Sequence, residues 1–272
     1  MCRVLGCVAA EPVSIWHELL DAKNPMIRQS EEHDSGWGMA AYERADGAEP
    51  RVVRFPHAAH ADGEFSTATE MRGRIFNVHV RRATIGGLTL ENTHPFCLGS
   101  YSFGHNGTVL CFNRLLDEGI KPPAGETDSE HVFNLLMRDF DQADAVESLR
   151  RTIGTVVERS PISGINFLFS DGERLYAYRL GIFDLHWLPR PGQLLVASEK
   201  VTGESWHTVQ QDVLLVLDPN DLEEPHAERL LGDAAVAKAD IRKFEEGQHL
   251  RGAERGAFAA DRAARLAGST SE

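Results

Sequence analysis

The sequence predicts a mixed, layered α/β domain, and two observations carry that expectation. Two helical patterns, one following Asp128 and one spanning about residues 143–157, lie between two groups of extended segments. Those segments alternate side chains with the two-residue period of strands, as in residues 75–81, IFNVHVR. Grouped strands with one apolar face need a covering layer, and amphipathic helices supply it.

Taken in chain order, apolar spacing at Val13, Ile15, Trp16, Leu19 and Leu20 predicts a short helix ended by Asn24-Pro25. Residues 36–42 read as a strand, and the polar stretch 45–64 as a hairpin and connecting loop. The strand at 75–81 puts Phe76, Val78 and Val80 on one face and Asn77, His79 and Arg81 on the other. Residues 101–103 and 109–112 flank Asn106-Gly107, a dipeptide that signals a tight hairpin turn. Asp128 precedes His131, Val132, Leu135, Leu136 and Phe140, a helical stripe with an acid as its cap. Strands follow at 166–170, 175–179, 184–188, 194–198 and 213–217, punctuated by Asp171-Gly172 and Pro191-Gly192 turns. After Asp233 the composition shifts to Ala, Arg, Lys and Glu with interrupting glycines. One domain is therefore expected over residues 2–232, with 233–272 a peripheral helical or partly disordered tail.

The charge narrows the partners. Acids outnumber bases 41 to 28, a net charge of −13, which disfavours nucleic acid and anionic membrane surfaces. No stretch approaches the roughly 18 apolar residues of a membrane helix, and the N-terminus lacks the pattern of a secretory signal. A cytoplasmic location is expected, in keeping with only four cysteines in 272 residues. His94, Cys97, His105 and Cys111 lack the closely paired spacing of a zinc site, so no metal and no cofactor are expected.

Cys2 is the first candidate for chemistry. Removal of Met1 would place a thiol and a free α-amine on one residue. The amine, with an ordinary pKa of roughly 7.7 to 8, can act as general base for a thiol of about 8.5. A buried structural cysteine is the alternative. Besides a turn, Asn106-Gly107 offers a side-chain amide and an unobstructed backbone N–H, the donors of an oxyanion hole. Arg81 is either a surface charge or a fork for an α-carboxylate, and Asp128 either a helix cap or a partner for an α-ammonium.

Together these residues sit in an ordered set of motifs: MCRVLGCV, DSGWGMAAY, HVRRATIGG, ENTHPF, GHNGTV, GETDSE, NFLFSDGERLYAY and LVASEKVTGESW. The set resembles the class II glutamine amidotransferases, whose domain is of the N-terminal nucleophile hydrolase type, and in particular the stand-alone bacterial members of the YafJ type. It is also similar to amidohydrolases of ergothioneine biosynthesis and glutathione breakdown. The resemblance implies an α+β fold, a four-layer αββα sandwich with Cys2 at the mouth of the cleft between the sheets. It implies that Cys2 is the nucleophile, Asn106 and Gly107 the oxyanion donors, Arg81 the α-carboxylate anchor and Asp128 the α-ammonium anchor. The implied substrate is glutamine or a larger γ-glutamyl amide, with a synthase partner receiving ammonia as one arrangement. A non-catalytic glutamine-binding module is the alternative of another class. Ser35 replaces a usual Gly, while Arg82 and Ile85 stand where glucosamine-synthesising relatives carry Trp and His, positions that bear on the leaving group.

Overall fold

In a computed structural model, which describes residues 2–117 and 119–243, strand segments such as 37–42 and 162–170 are buried along their whole length and are therefore covered on both faces. In chain order the elements are β1 (Arg3–Val13), α1 (Met26–Gln29), β2 (Trp37–Tyr42), β3 (Arg51–Phe55), α2 (Gly63–Ala68), β4 (Gly73–Val80), β5 (Phe96–Leu98) and β6 (Tyr101–Val109). Helices α3 (Asp128–Arg138) and α4 (Ala145–Arg159) follow. Then come β7 (Ile162–Ser170), β8 (Leu175–Arg179), β9 (His186–Arg190), β10 (Gln193–Ala197), β11 (His207–Thr208), β12 (Val213–Asp218), β13 (Asp221–Arg229) and α5 (Asp233–Val236).

The strands form two antiparallel sheets, a first in the order β11-β9-β10-β1-β4-β2-β3 and a second in the order β13-β12-β8-β7-β6-β5. Val4, Val8, Ile75, Leu168, Leu175 and Leu217 fill the space between them. The far face of the first sheet, with Leu5, Trp37, Phe76 and Val78, is covered by Leu19, Met26 and Phe65 from the short helical segments. The far face of the second carries an aromatic layer. Phe103 lies 5.7 Å from Phe133 of α3, and Phe169 lies 5.0 Å from Phe140. The result is the expected αββα sandwich.

The helix expected over 13–20 does not form. β1 runs on to Val13, and the apolar residues after it turn once in a π-helical segment, His17–Asp21. Trp16 is 48% exposed, so the stripe that suggested a helix has no single buried face. The 45–64 stretch contains β3 and the start of α2, whose N-terminus is capped by Asp62 accepting from the Glu64 N–H. Edge strands β5, β11 and β13 escaped the sequence patterns because β5 and β11 are short and β13 is polar on both faces. Of the tail expected after residue 232, α5 and residues up to 243 are described. The Arg242 N–H bonds the Ile162 carbonyl at 2.9 Å, against the start of β7. The rest of that expectation lies outside the described residues. Among the described residues no helix is long and apolar enough to cross a membrane, and no disulfide joins the four cysteines.

Candidate active site

The alternation read for residues 75–81 holds, but its polar face meets the second sheet and not solvent. Ile75 packs between the sheets and Phe76, Val78 and Val80 on the far side, so Asn77, His79 and Arg81 point inward. All three are buried. Asn77 Nδ2 donates to the Leu168 carbonyl at 3.2 Å, and His79 Nε2 to the His105 carbonyl at 3.0 Å. A carbonyl only accepts, so the His79 proton is on Nε2.

Cys2 directly precedes β1 and shares the inward parity of Val4 and Val8. Its thiol donates to the Arg82 carbonyl at 3.7 Å. Burial pushes the Cys2 thiol above its ordinary range. The bond to the Arg82 carbonyl and the charge of Arg81 draw it down, and the Asp128 carboxylate raises it. Cys2, Arg81 and Asp128 therefore lie within one another's fields. A thiol held high stays protonated at rest, so attack requires a base beside it.

Arg81 extends the β2–β4 ladder by one residue, its N–H bonding the Gly36 carbonyl at 2.7 Å while its own carbonyl accepts from Ser35 at 2.9 Å. Ser35 has a negative φ, so the side chain replacing the usual Gly is accommodated. The Arg81 guanidinium holds the loop that follows it: Nη1 donates to the Gly87 carbonyl at 2.9 Å, and Nη2 to those of Ile85 at 2.8 Å and Gly86 at 3.4 Å. Asn92 Nδ2 also donates to Gly87, and Glu126 accepts from the Gly87 N–H. These bonds leave the Arg81 Nε–H and one Nη1–H of its five donors for other partners.

Asn106-Gly107 is not a turn. Both residues lie inside β6, paired with Asn166 and Ile165 of β7, and neither has the positive φ that a two-residue hairpin requires. The strand ends at Val109, and the left-handed residue beyond it is Cys111 at φ 52°. β5 pairs with β6 only as far as Phe103, so among the described residues the edge beyond it carries no strand. The His105 carbonyl on that edge is taken by His79, and the Val109 N–H by Asp128 Oδ2 at 2.7 Å. By the strand period the Gly107 N–H between them points to the same edge. The Ile165 N–H opposite bonds Leu180 instead, in agreement. The Asn106 side chain faces inward, with Oδ1 buried without a partner.

The glycine at 107 has a steric reason. A Cβ there would meet the Gly164 carbonyl oxygen at 1.9 Å. We expect Gly107→Ala to force β6 and β7 apart and cost about 1–3 kcal/mol or more, read as a lower urea midpoint. An unchanged midpoint would show that the ladder yields freely.

Asp128 is not the cap of α3. Thr127 holds that position, its hydroxyl accepting from the Glu130 N–H, and Asp128 is the first helical residue. Its carboxylate turns back to β6 instead. The helix capping signal therefore belonged to the residue before, a one-place shift that sequence patterns do not resolve.

Four buried imidazoles, His33, His79, His94 and His105, lie around this region. Burial, as the largest cause, lowers His33 to about 4, His79 to about 3 and His105 to about 4. Because their folded pKa values lie below the unfolded value, the stability they contribute is complete above about pH 6.5 and is lost as the pH falls. Each adds a slope of up to about 1.4 kcal/mol per pH unit. The urea midpoint is expected to drop steeply from pH 6.5 to 5, and a flat profile would refute this. The zinc set considered above is not assembled: His105 bonds Ser129 at 2.8 Å on the far face of the sheet, while His94 stacks on His79. Among the described residues no group of three His, Cys, Asp or Glu is arranged to hold a metal ion.

The structure thus puts Cys2, Arg81 and Asp128 within one another's fields, and Asp128 against the strand that carries Asn106 and Gly107. His79 was legible only as part of a polar strand face, and Thr127 only as part of a capping run.

Comparison with known proteins shows the family and the fold. The chain is 27% identical to the putative glutamine amidotransferase YafJ of Escherichia coli, over 73% of this chain and 80% of that one. It is 30% identical to the gamma-glutamyl-hercynylcysteine sulfoxide hydrolase of Mycolicibacterium smegmatis, over 73% of this chain and 87% of the relative. A glutamine aminotransferase class-II domain protein from Silicibacter pomeroyi has the same fold, with a TM-score of 0.60 at 20% identity, covering 85% of this chain and 100% of that one. Residues 1–193 match the family model for class-II glutamine amidotransferases, and the chain belongs to that family.

Proposed function

We propose that this protein cleaves the γ-amide of glutamine, or of a γ-glutamyl compound, with Cys2 as nucleophile. The observation that carries the reading is the placement of the Cys2 thiol within the fields of both Arg81 and Asp128, with Asp128 in turn bonded to the Val109 N–H on the strand edge that offers the Gly107 N–H. After loss of Met1 the Cys2 α-amine takes the thiol proton, and sulfur attacks the γ-carbonyl. The oxyanion rests on the Asn106 amide and the Gly107 N–H. The α-ammonium returns its proton to the leaving nitrogen as the C–N bond breaks, and water then hydrolyses the thioester to glutamate. Arg81, through its two remaining donors, grips the α-carboxylate, and Asp128 pairs with the α-ammonium.

Hydroxylamine tests the thioester. Included during turnover, it should divert the acyl group to γ-glutamyl hydroxamate and regenerate the thiol; hydrolysis with no hydroxamate would argue for direct attack by water.

A larger γ-glutamyl substrate is the second reading, favoured by the extent of the match to the Mycolicibacterium hydrolase and by Arg82, whose carbonyl receives the Cys2 thiol. Arg81 and Asp128 read only the glutamyl end, so leaving-group preference falls to the surrounding loops. Ammonia release from glutamine, measured against amine release from γ-glutamyl amides, distinguishes the two. Weak glutamine turnover that rises with an added synthase would instead identify a partner that receives ammonia.

A further inference from the structure

His79 belongs to the first sheet and reaches the second. In the ladder it lies opposite Val4 of β1, two residues from Cys2, and opposite Gly38 of β2. Its Nε2–H crosses the cleft to the carbonyl of His105, the residue before Asn106. The nucleophile and the oxyanion donors stand on different sheets, so something must fix the gap between them, and apolar packing is less directional than a hydrogen bond. Asn77 makes the companion crossing farther in, to the Leu168 carbonyl and to Ser102 Oγ.

The His79 ring is held from behind. His94 stacks on it with centroids 4.1 Å apart and planes at 18°, and His94 is itself packed 4.4 Å from Phe96. The His94 backbone is admitted because β2 carries glycine there: a Cβ at Gly38 would meet the His94 carbonyl oxygen at 2.2 Å. The neighbouring carbonyls of Thr93 and Pro95 are tied to Arg54. Both ring nitrogens of His94, and Nδ1 of His79, are buried without a partner. Such orphaned atoms cost stability. The geometry therefore keeps an imidazole at 79 for the single bond it does make.

We propose that His79 is a positioning residue, whose Nε2–H···O=C bond to His105 holds the strand bearing Asn106 and Gly107 at its working distance from Cys2. The proposal rests on the reading that these two residues receive the oxyanion. Its effect falls on the transition state, because the glutamyl end is held by other groups. Displacing a catalytic group by about 1 Å can cost on the order of 100-fold.

Gln places its amide where the Nε2 of His stands, whereas the Asn amide stops at the level of Nδ1. His79→Gln, His79→Asn and Asn106→Ala should be compared in protein freed of Met1, with active sites counted by thiol labelling. The readouts are kcat, KM for glutamine (or for the γ-glutamyl amide that is turned over), and affinity for the γ-aldehyde analogue of glutamine, which adds the Cys2 sulfur to give a tetrahedral hemithioacetal. We expect folded His79→Asn to lose roughly 100-fold in kcat and a comparable factor in aldehyde affinity, with KM little changed, and His79→Gln to recover most of both. Wild-type values in His79→Asn, with Asn106→Ala impaired, would overturn the positioning role alone. Undiminished aldehyde binding in Asn106→Ala would overturn the oxyanion reading beneath it. If His79→Asn does not fold, His79→Gln decides: a folded Gln variant with lost kcat and aldehyde affinity would show that the Nε-level donor is not what matters.

Discussion

Cys2→Ala is expected to reduce turnover to background and to abolish covalent labelling by diazo-oxo-norleucine, a glutamine mimic that alkylates such nucleophiles. Intact mass of the unaltered protein should show Met1 missing and one adduct, mapped to Cys2. The physical argument is that the thiol is pushed up by burial and is therefore protonated at rest. It needs a base at bonding distance, and the α-amine of the same residue is that base only when it is free. A residue inserted between Met1 and Cys2 that blocks Met removal should consequently be as inactive as Cys2→Ala. Folding should survive both changes, because Cys2 precedes β1 and its thiol's one hydrogen bond among the described residues is long, 3.7 Å to the Arg82 carbonyl. Residual turnover in Cys2→Ala would place the nucleophile elsewhere, and full activity with a blocked terminus would remove the amine from the mechanism.

Asn106→Ala is expected to lower kcat by on the order of 100- to 1,000-fold, the usual cost of one oxyanion donor. KM should change far less, because the ground-state carbonyl does not need the full donor set. Stability should hold or rise. The side chain is buried with its Oδ1 unpartnered, so truncation removes an unsatisfied polar atom at the cost of a small void. A variant that loses stability and not kcat would make Asn106 a structural residue.

Much of the fold was legible because strand and helix periods are local. Residues 175–179 and the patterns behind α3, α4 and β12 read directly from spacing, since the side chains that repeat are those that meet a neighbouring layer. The misreadings share one cause. Asn106-Gly107 carries the composition of a hairpin turn, and residues 13–20 carry helical spacing, but each local preference is worth at most a few kcal/mol. The ladder from Ser102 to Val109 against β7, and the pairing of β1 with its two neighbours, override them.

The sequence by itself determined the identities at the candidate site: a cysteine after Met1, an arginine on the polar face of a strand end, an Asn-Gly pair and an acid opening a helix. Their order along the chain was enough to indicate the family. Tertiary structure alone decided how they meet. That β4 turns its polar face toward a second sheet, that β6 runs through Asn-Gly with an open edge, and that His79 spans the cleft all depend on which strands pair. Pairing is settled by contacts between residues distant in the chain, such as His79 with His105 and Val109 with Asp128, and no local period encodes them.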